Sequence, residues 1–242
     1  MREYPKIIRL GERAILLEFE PEISLEILKK LLSLKRYLQE KLLKQDVEVT
    51  NTYNSLLISY VSPIEDAYGE VFRLFEEFKA AKISFKYQIR LFHIPVCYDE
   101  NFALDLEEIS RAKKLSKEEI IGLHSSVDYL VYFTGFLPGF LYLGGLPETL
   151  HFSRKIHPRQ SVPKGAVGIG EKQTGIYPQA SPGGWNIIGN SPVPLFDPTA
   201  NPPCEIRSGD MIRFYPVSLE EHEKIKEEVQ RGKFHFKIEQ NG

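Results

Sequence analysis

The chain has 242 residues, 42% of them hydrophobic and 26% charged, which is ordinary globular usage and enough for one large core or two smaller ones. A formal net charge of −2 gives no basic field for nucleic acid or an anionic membrane, and no stretch reaches the ~20 apolar residues of a membrane span. The opening residues MREYPKIIRLGERA hold no apolar signal core, so a cytoplasmic protein is expected, with Cys97 and Cys204 as free thiols.

Residues 7–10 and 14–19 read as two short strands around Gly11-Glu12-Arg13. Over 22–43, Ile27, Leu28, Leu31, Leu32, Leu38 and Leu42 recur in steps of three and four, the stripe of an amphipathic helix. Residues 47–49 and 55–61 read as strands around the polar tip 51–54. Ala67, Val71, Leu74, Phe75 and Phe78 mark a second helix. The order β-β-α-β-β-α predicts helices on one face of a small, largely antiparallel sheet. Ala80-Ala81-Lys82 reads as a linker, so an α+β domain is expected over 1–82 and a β-rich domain over 83–242.

In the second part Phe85, Tyr87, Ile89 and Leu91 alternate as in a strand. Helical pieces are expected at 105–114 and 116–123, the latter opened by the capping box Ser116-x-x-Glu119. Residues 127–133 read as an apolar strand, followed by strands at 167–170, 185–189, 204–206 and 211–217. A further capping box, Ser218-x-x-Glu221, opens a charged helix to about Gln230, and 234–238 reads as a last strand. Many strands with two or three small helices predict a closed or nearly closed barrel.

Glycine and proline crowd into residues 133–189, which also hold the single tryptophan, Trp185. Residues spent on backbone shape are the usual way to build a binding surface on a rigid scaffold. The loop-shaping residues are Gly135, Pro138, Gly139, Pro163, Gly165, Gly175, Pro178, Pro182, Gly183, Gly184 and Gly189. Gly165 to Thr174 resembles a phosphate loop but fails on spacing, with Glu171 where the lysine belongs. No two of the six histidines lie three to five apart and no Cys-x-x-Cys occurs, so no metal site is expected. There is no Gly-x-Ser-x-Gly elbow, and Cys97 reads as a small buried hydrophobe. What remains is a cleft lined by Arg159, Gln173, Thr174, Tyr177, Trp185, Phe136, Phe140 and Tyr142, able to hold a small anionic or amide-bearing molecule. In that cleft Arg159 would hold a carboxylate or phosphate, while Gln173 and Tyr177 orient an amide or oxyanion. Two readings stand beside it: Tyr177 and Trp185 are core and the glycines close barrel corners, or the surface grips another protein. No catalytic base is identifiable.

Several longer motifs carry a family resemblance. They are Phe136-Leu-Pro-Gly-Phe140-Leu-Tyr142-Leu-Gly144-Gly145-Leu-Pro147, Pro158-Arg159, Val162-Pro163-x-Gly165, Gln173-Thr-Gly-Ile-Tyr-Pro178, Ser181-Pro-Gly-Gly-Trp185 and Gly209-Asp210. Ile94-Pro-Val-Cys-Tyr98, Asp105-Leu-Glu-Glu108 and Tyr53-Asn-Ser-Leu-Leu57 fit as well. Across essentially its whole length the chain resembles the 5-oxoprolinase B-subunit family, also called allophanate hydrolase subunit 1 or the KipI-like proteins. The resemblance implies an α+β (ferredoxin-like) domain over 1–82 and an all-β cyclophilin-like barrel over 83–242. It implies direct complex formation with a C-type partner protein of the same enzyme, together with an A-type partner. The complex opens 5-oxoproline to glutamate, with ATP and Mg2+ used at the level of the complex and none held by this chain alone, which is expected to be inactive by itself. One branch of the family implies instead a partner histidine kinase that is inhibited, and another a carboxyltransferase in urea breakdown. No Ala-Met-Lys-Met biotin site occurs here. The chain departs from the pattern at Asp99-Glu100, where many relatives have Gly-Gly, and at Glu171, where a small residue is usual. It also has Asn190-Ser191 before Pro192, where many relatives have Arg-Thr, which removes an anion-binding arginine from that point.

Overall fold

Alternating and helically spaced apolar residues become two units, Met1–Tyr87 and Gln88–Gly242. The computed structural model describes residues 4–42, 46–63, 65–83, 85 and 88–241. In the first unit β1 (Lys6–Leu10), β2 (Ala14–Glu18), α1 (Leu25–Lys41), β3 (Val47–Asn51), β4 (Ser55–Tyr60) and α2 (Ala67–Ala80) follow in order. The strands form one antiparallel sheet in the order β1-β2-β4-β3. Ile15 lies opposite Ile58 and Leu17 opposite Leu56, and all four are buried. They meet Ile27, Leu31, Leu34 and Leu38 of α1 and Val71 and Leu74 of α2 in one core. Ser24 starts α1 by accepting a hydrogen bond from the Ile27 N–H at 3.2 Å.

The second unit contains β5 (Ile89–Cys97), α3 (Leu106–Lys113), α4 (Lys117–Ser125), β6 (Asp128–Thr134), β7 (Leu141–Gly144), β8 (Arg159–Val162), β9 (Ala166–Gly170), β10 (Gln173–Ile176), β11 (Ser181–Gly183), β12 (Asn186–Asn190), β13 (Met211–Val217), α5 (Leu219–Gln230) and β14 (Lys237–Asn241). Eight strands run in the order β12-β9-β10-β7-β6-β13-β5-β14, and a pairing of β12 with β5 at Asn190 and Cys97 closes seven of them into a barrel. β5 and β13 pair in parallel, from Leu91 with Met211 to Cys97 with Val217. Phe92, Ile94, Tyr129, Val131, Leu143, Val167, Ile169, Ile188, Ile212 and Phe214 fill the interior. β8 and β11 form a separate two-stranded sheet.

Several expectations shift. The barrel is accompanied by three α-helices, so the unit is not all-β. Its first strand starts at Ile89 rather than at Phe85; Tyr87 lies outside the described residues. Residues 204–206 form no strand: Pro202 and Pro203 offer no donors, and the Asp210 carboxylate instead accepts the Arg207 N–H at 2.9 Å. That carboxylate also receives Arg90 through Nε at 3.0 Å and Nη2 at 2.6 Å, which explains the aspartate of Gly209-Asp210 as a structural anchor. Among the described residues, no helix is long and apolar enough to cross a membrane.

Candidate functional site

The glycine-rich segment builds a packed aromatic cluster. Phe140, Tyr177 and Trp185 are buried and sit with Val162, Ala166 and Ile187, with Tyr142 against them. The Phe140 ring lies 5.5 Å from Trp185 at 74° and 5.4 Å from Tyr177 at 83°, edge-to-face geometry that favours both pairs. A Cβ at Gly170 would overlap the Trp185 indole nitrogen, and one at Gly183 would overlap the Tyr177 hydroxyl. Glycine is required there because the rings occupy the space a side chain needs. Tyr177 and Trp185 are therefore core, not cleft walls. Gly175 lies against the same indole, Pro182 and Gly183 form β11, Gly184 follows it, and Pro178 follows β10. Gly135, Pro138 and Gly139 shape the β6–β7 connection, where Phe136 is 62% exposed with φ +63°. Phe136 is the aromatic of the predicted set that faces solvent.

Arg159 and Thr174 of the predicted set are engaged within the fold. Arg159 donates through Nη2 to Asp105 Oδ1 at 2.7 Å, and its Nη1 is buried with no hydrogen-bond partner among the described residues. Lys155 Nζ reaches the same Asp105 oxygen at 2.8 Å, while the Ile187 N–H donates to Oδ2 at 2.6 Å. Burial would raise the Asp105 carboxyl, but Arg159, Lys155 and the Ile187 N–H outweigh it and hold it below its ordinary value. Arg159 thus pairs with the chain's own carboxylate through Nη2. Thr174 is fully buried and donates to the Gly168 carbonyl at 3.0 Å. It must then accept from His124 Nε2 at 2.8 Å, leaving Nδ1 to accept from the Tyr98 hydroxyl at 2.7 Å. Burial lowers the His124 pKa to about 3, so this ring is neutral. Gln173 is half-buried at the start of β10, directly opposite Gly170. Gly165 to Thr174 is a β-hairpin turning through Glu171 and Lys172, so the phosphate-loop likeness has no structural counterpart.

The far end of β12 opens on a cavity of about 510 Å3, a size usual for small-molecule sites. Residues 101, 102, 104, 163, 164, 166, 187 and 189–192 and the inner face of α5 line it. Gly165 has φ +80° and pairs on both sides: its N–H donates to the Tyr177 carbonyl at 2.7 Å, and its carbonyl accepts the Ser191 N–H at 2.8 Å. Pro163 precedes this turn. Gly189 brings β12 so close to β5 that a Cβ would stand 2.7 Å from the Cys97 carbonyl oxygen. The capping box at the start of α5 fixes its first turn: Ser218 Oγ accepts the Glu221 N–H at 3.1 Å and Glu221 Oε2 accepts the Ser218 N–H at 2.8 Å. That turn aims His222, 2% exposed, at Asn190. Asn190 Nδ2 donates to the Lys164 carbonyl at 2.9 Å, so its Oδ1 accepts from His222 Nε2 at 2.9 Å. His222 Nδ1 and Ser191 Oγ, both buried, have no hydrogen-bond partner among the described residues; Nδ1 lies 3.4 Å from Glu223 Oε1. Burial lowers the His222 pKa more than Glu223 raises it. The Phe102 ring packs 4.6 Å from the imidazole. Lys164 and Lys226 stand at the rim, Lys226 bonded to Glu223 at 2.9 Å.

Reading the sequence missed this site because His222 stood alone among the histidines. Two signals pointed there: the capping box that sets the helix turn, and the replacement of Arg-Thr by Asn190-Ser191. The first unit has a smaller cavity, about 400 Å3, ringed by Lys29, Lys30, Lys79 and Lys82. Its buried polar side chain, Ser33, already accepts the Phe85 N–H at 3.4 Å. Among the described residues, no group of three His, Cys, Asp or Glu is placed to hold a metal ion.

Residues 5–206 match the family described as carboxyltransferase domain, subdomain C and D. The chain is 36% identical over 234 residues to the 5-oxoprolinase B subunit of Bacillus subtilis (strain 168), covering 92% of this chain and 97% of that one. It is 40% identical over 210 residues to the 5-oxoprolinase B subunit of Escherichia coli O157:H7, covering 86% and 94%. The crystal structure of Kluyveromyces lactis urea carboxylase matches 97% of this chain and 24% of that longer chain with a TM-score of 0.78; at 22% identity the likeness is one of fold.

Proposed function

Because the chain belongs to the 5-oxoprolinase B-subunit family, we propose that it is the B component of an ATP-dependent enzyme that opens 5-oxoproline to glutamate. The observation that carries this is identity of 36% and 40% with the two 5-oxoprolinase relatives over nearly the full length of both. The frame would be a ferredoxin-like unit followed by a cyclophilin-like barrel. A lactam resists water because its carbonyl is stabilised by the ring nitrogen. Transfer of the γ-phosphoryl group of ATP to the amide oxygen makes that carbon electrophilic. Water then adds, the C–N bond breaks as the nitrogen takes a proton, and the γ-glutamyl phosphate so formed is cleaved by a second water, releasing phosphate. ATP and Mg2+ act at the level of the complex. The contribution of this chain is to bind and orient the lactam, with the C-type and A-type proteins as its partners.

Purified components test the reading. Glutamate and ADP are expected to form together only when this chain is mixed with both partners, and not from this chain alone. Full turnover by the A-type and C-type proteins without it would reject the proposal. Histidine-kinase inhibition has no observation here in its favour, and a urea-type carboxyl transfer rests on fold likeness.

A further inference from the structure

The cavity of the first unit, about 400 Å3, falls in the size range of small-molecule sites. Helical spacing builds two of its walls. Lys29, Lys30 and Ser33 recur three and four residues apart on α1, and Phe75, Phe78, Lys79 and Lys82 do so along the last turns of α2 and just past its end. The apolar lining is fixed by the core beneath it. Phe75 belongs to that core, Phe78 and Ile83 pack against it, and the Phe78 ring lies 5.6 Å from Tyr37. Phe78 and Ile83 are half-buried, so they keep apolar surface open to the cavity. Four lysines line it against one carboxylate, Glu20, in a chain whose formal net charge is −2. Lys79 has Glu76 at 3.6 Å, whereas Lys29, Lys30 and Lys82 make no ion pair among the described residues. Lys79 and Lys82 stand at the C-terminal end of α2, where the partial negative charge of the helix favours cations. Lys29 and Lys30 stand in the second turn of α1, where no such reason exists. An apolar lining under an unpaired cationic rim suits a molecule that is hydrocarbon at one end and anionic at the other.

We propose that this cavity binds a small amphipathic carboxylate, its hydrocarbon body on Phe75, Phe78 and Ile83 and its carboxylate on Lys29 and Lys30. Each methylene taken fully out of water strengthens binding by about fourfold. An exposed charge pair adds less. The body therefore carries the affinity and the lysines select the charge. Glu20 repels an anion, so the carboxylate falls to the helix lysines. Ligands with a polar body do not suit this lining, since its buried hydroxyl, Ser33, already accepts the Phe85 N–H. The proposal does not rest on the lactam-opening function.

The experiment is calorimetric titration of the full chain, with backbone amide NMR of the same samples. The probes are octanoate, octanamide, which lacks the charge, and acetate, which lacks the body. Saturable binding of octanoate is expected, at least about fivefold weaker for octanamide and lost for acetate. Amide shifts are expected to concentrate in residues 29–33 and 75–83. Lys29→Gln combined with Lys30→Gln is expected to weaken octanoate about fivefold and to leave octanamide unchanged. Both lysines are exposed and outside any ion pair among the described residues, so this variant folds and keeps the test valid if Phe78→Ala, expected to weaken both ligands alike, unfolds. Equal affinity for octanoate and octanamide, unchanged octanoate binding in the double variant, or shifts centred elsewhere overturns the proposal. Retention on anionic phospholipid vesicles without saturable octanoate binding gives the lysines to a membrane surface and overturns it as well.

Discussion

The two ends of β12 are built on opposite terms. At the Trp185 end, rings meet rings and glycines clear the space for them, so the chain spends backbone shape on packing. At the Asn190 end, a small hydrogen-bond network stops short: Ser191 Oγ is buried with no hydrogen-bond partner among the described residues, and His222 Nδ1 faces the Glu223 carboxylate at 3.4 Å. The Trp185 end resembles a binding site in the sequence and is a core. The Asn190 end shows in the sequence the capping box of α5 and the Asn190-Ser191 pair, and in the structure a buried hydroxyl with no hydrogen-bond partner among the described residues. Abundance of glycine and aromatics reports how hard a region is to pack; unpaired donors and acceptors report what it is able to recognise.

If closed packing governs the barrel, the largest effect comes from disturbing its most completely satisfied polar group. His124 has both ring nitrogens bonded and a pKa of about 3 against an ordinary 6.5. Protons bind the unfolded chain more readily than the folded one over that interval. The stability that the neutral ring contributes is therefore full above about pH 6.5 and is lost as pH falls toward 3, a total of roughly 4–5 kcal/mol. Urea unfolding across this range is expected to show the fall in the native chain and a shallower one in His124→Gln. A flat profile would mean that the interior takes up a proton without cost.

Next in size is Trp185→Ala, expected to cost about 3–5 kcal/mol in unfolding free energy because its buried partners Phe140, Val162, Tyr177 and Ile187 lose a ring. Gly170→Ala is expected to cost ~1–3 kcal/mol by overpacking against the same indole. Neither Trp185 nor Gly170 itself lines the cavity at the Asn190 end of β12, which the Trp185 cluster reaches through Ala166 and Ile187, so 5-oxoproline affinity measured on the folded fraction is expected to stay unchanged. A loss of affinity in either variant at full folding would show that the two ends of β12 act as one site.

This contrast also shows what the sequence makes legible. Helix stripes such as Ile27-Leu31-Leu38 and strands such as Met211–Val217 are local patterns, and the structure keeps them. β8, β10 and β11 are too short and too rich in Gly, Pro or polar residues to show alternation, and the pairing of neighbours defines them. The family motifs mark a stretch of chain and not the role of each residue in it. Arg159 meets Asp105 from 54 positions away, and His222 meets Asn190 from 32 away. Hydrogen-bond arithmetic of that kind exists only after folding.

Arg159 is intermediate between the two regions, one nitrogen bonded to Asp105 and one buried without a partner among the described residues. Arg159→Ala is expected to cost ~1–3 kcal/mol, since Asp105 retains Lys155 and the Ile187 N–H. Chemical denaturation measures the loss. Ligand affinity is expected to stay unchanged; a marked loss of affinity at constant stability would return Arg159 to the role of ligand anchor.

The smallest change in stability is the most diagnostic. Ser191 is 1% exposed, a position where a polar truncation normally costs a hydrogen bond. Its hydroxyl has no partner among the described residues, so folding gains nothing from it and bears its desolvation. Ser191→Ala is therefore expected to leave unfolding free energy within about 0.5 kcal/mol of the native chain or to raise it. Denaturant midpoints at constant slope measure this. A loss of more than about 1 kcal/mol would show an internal bond at Oγ and erase the difference between the two ends of β12.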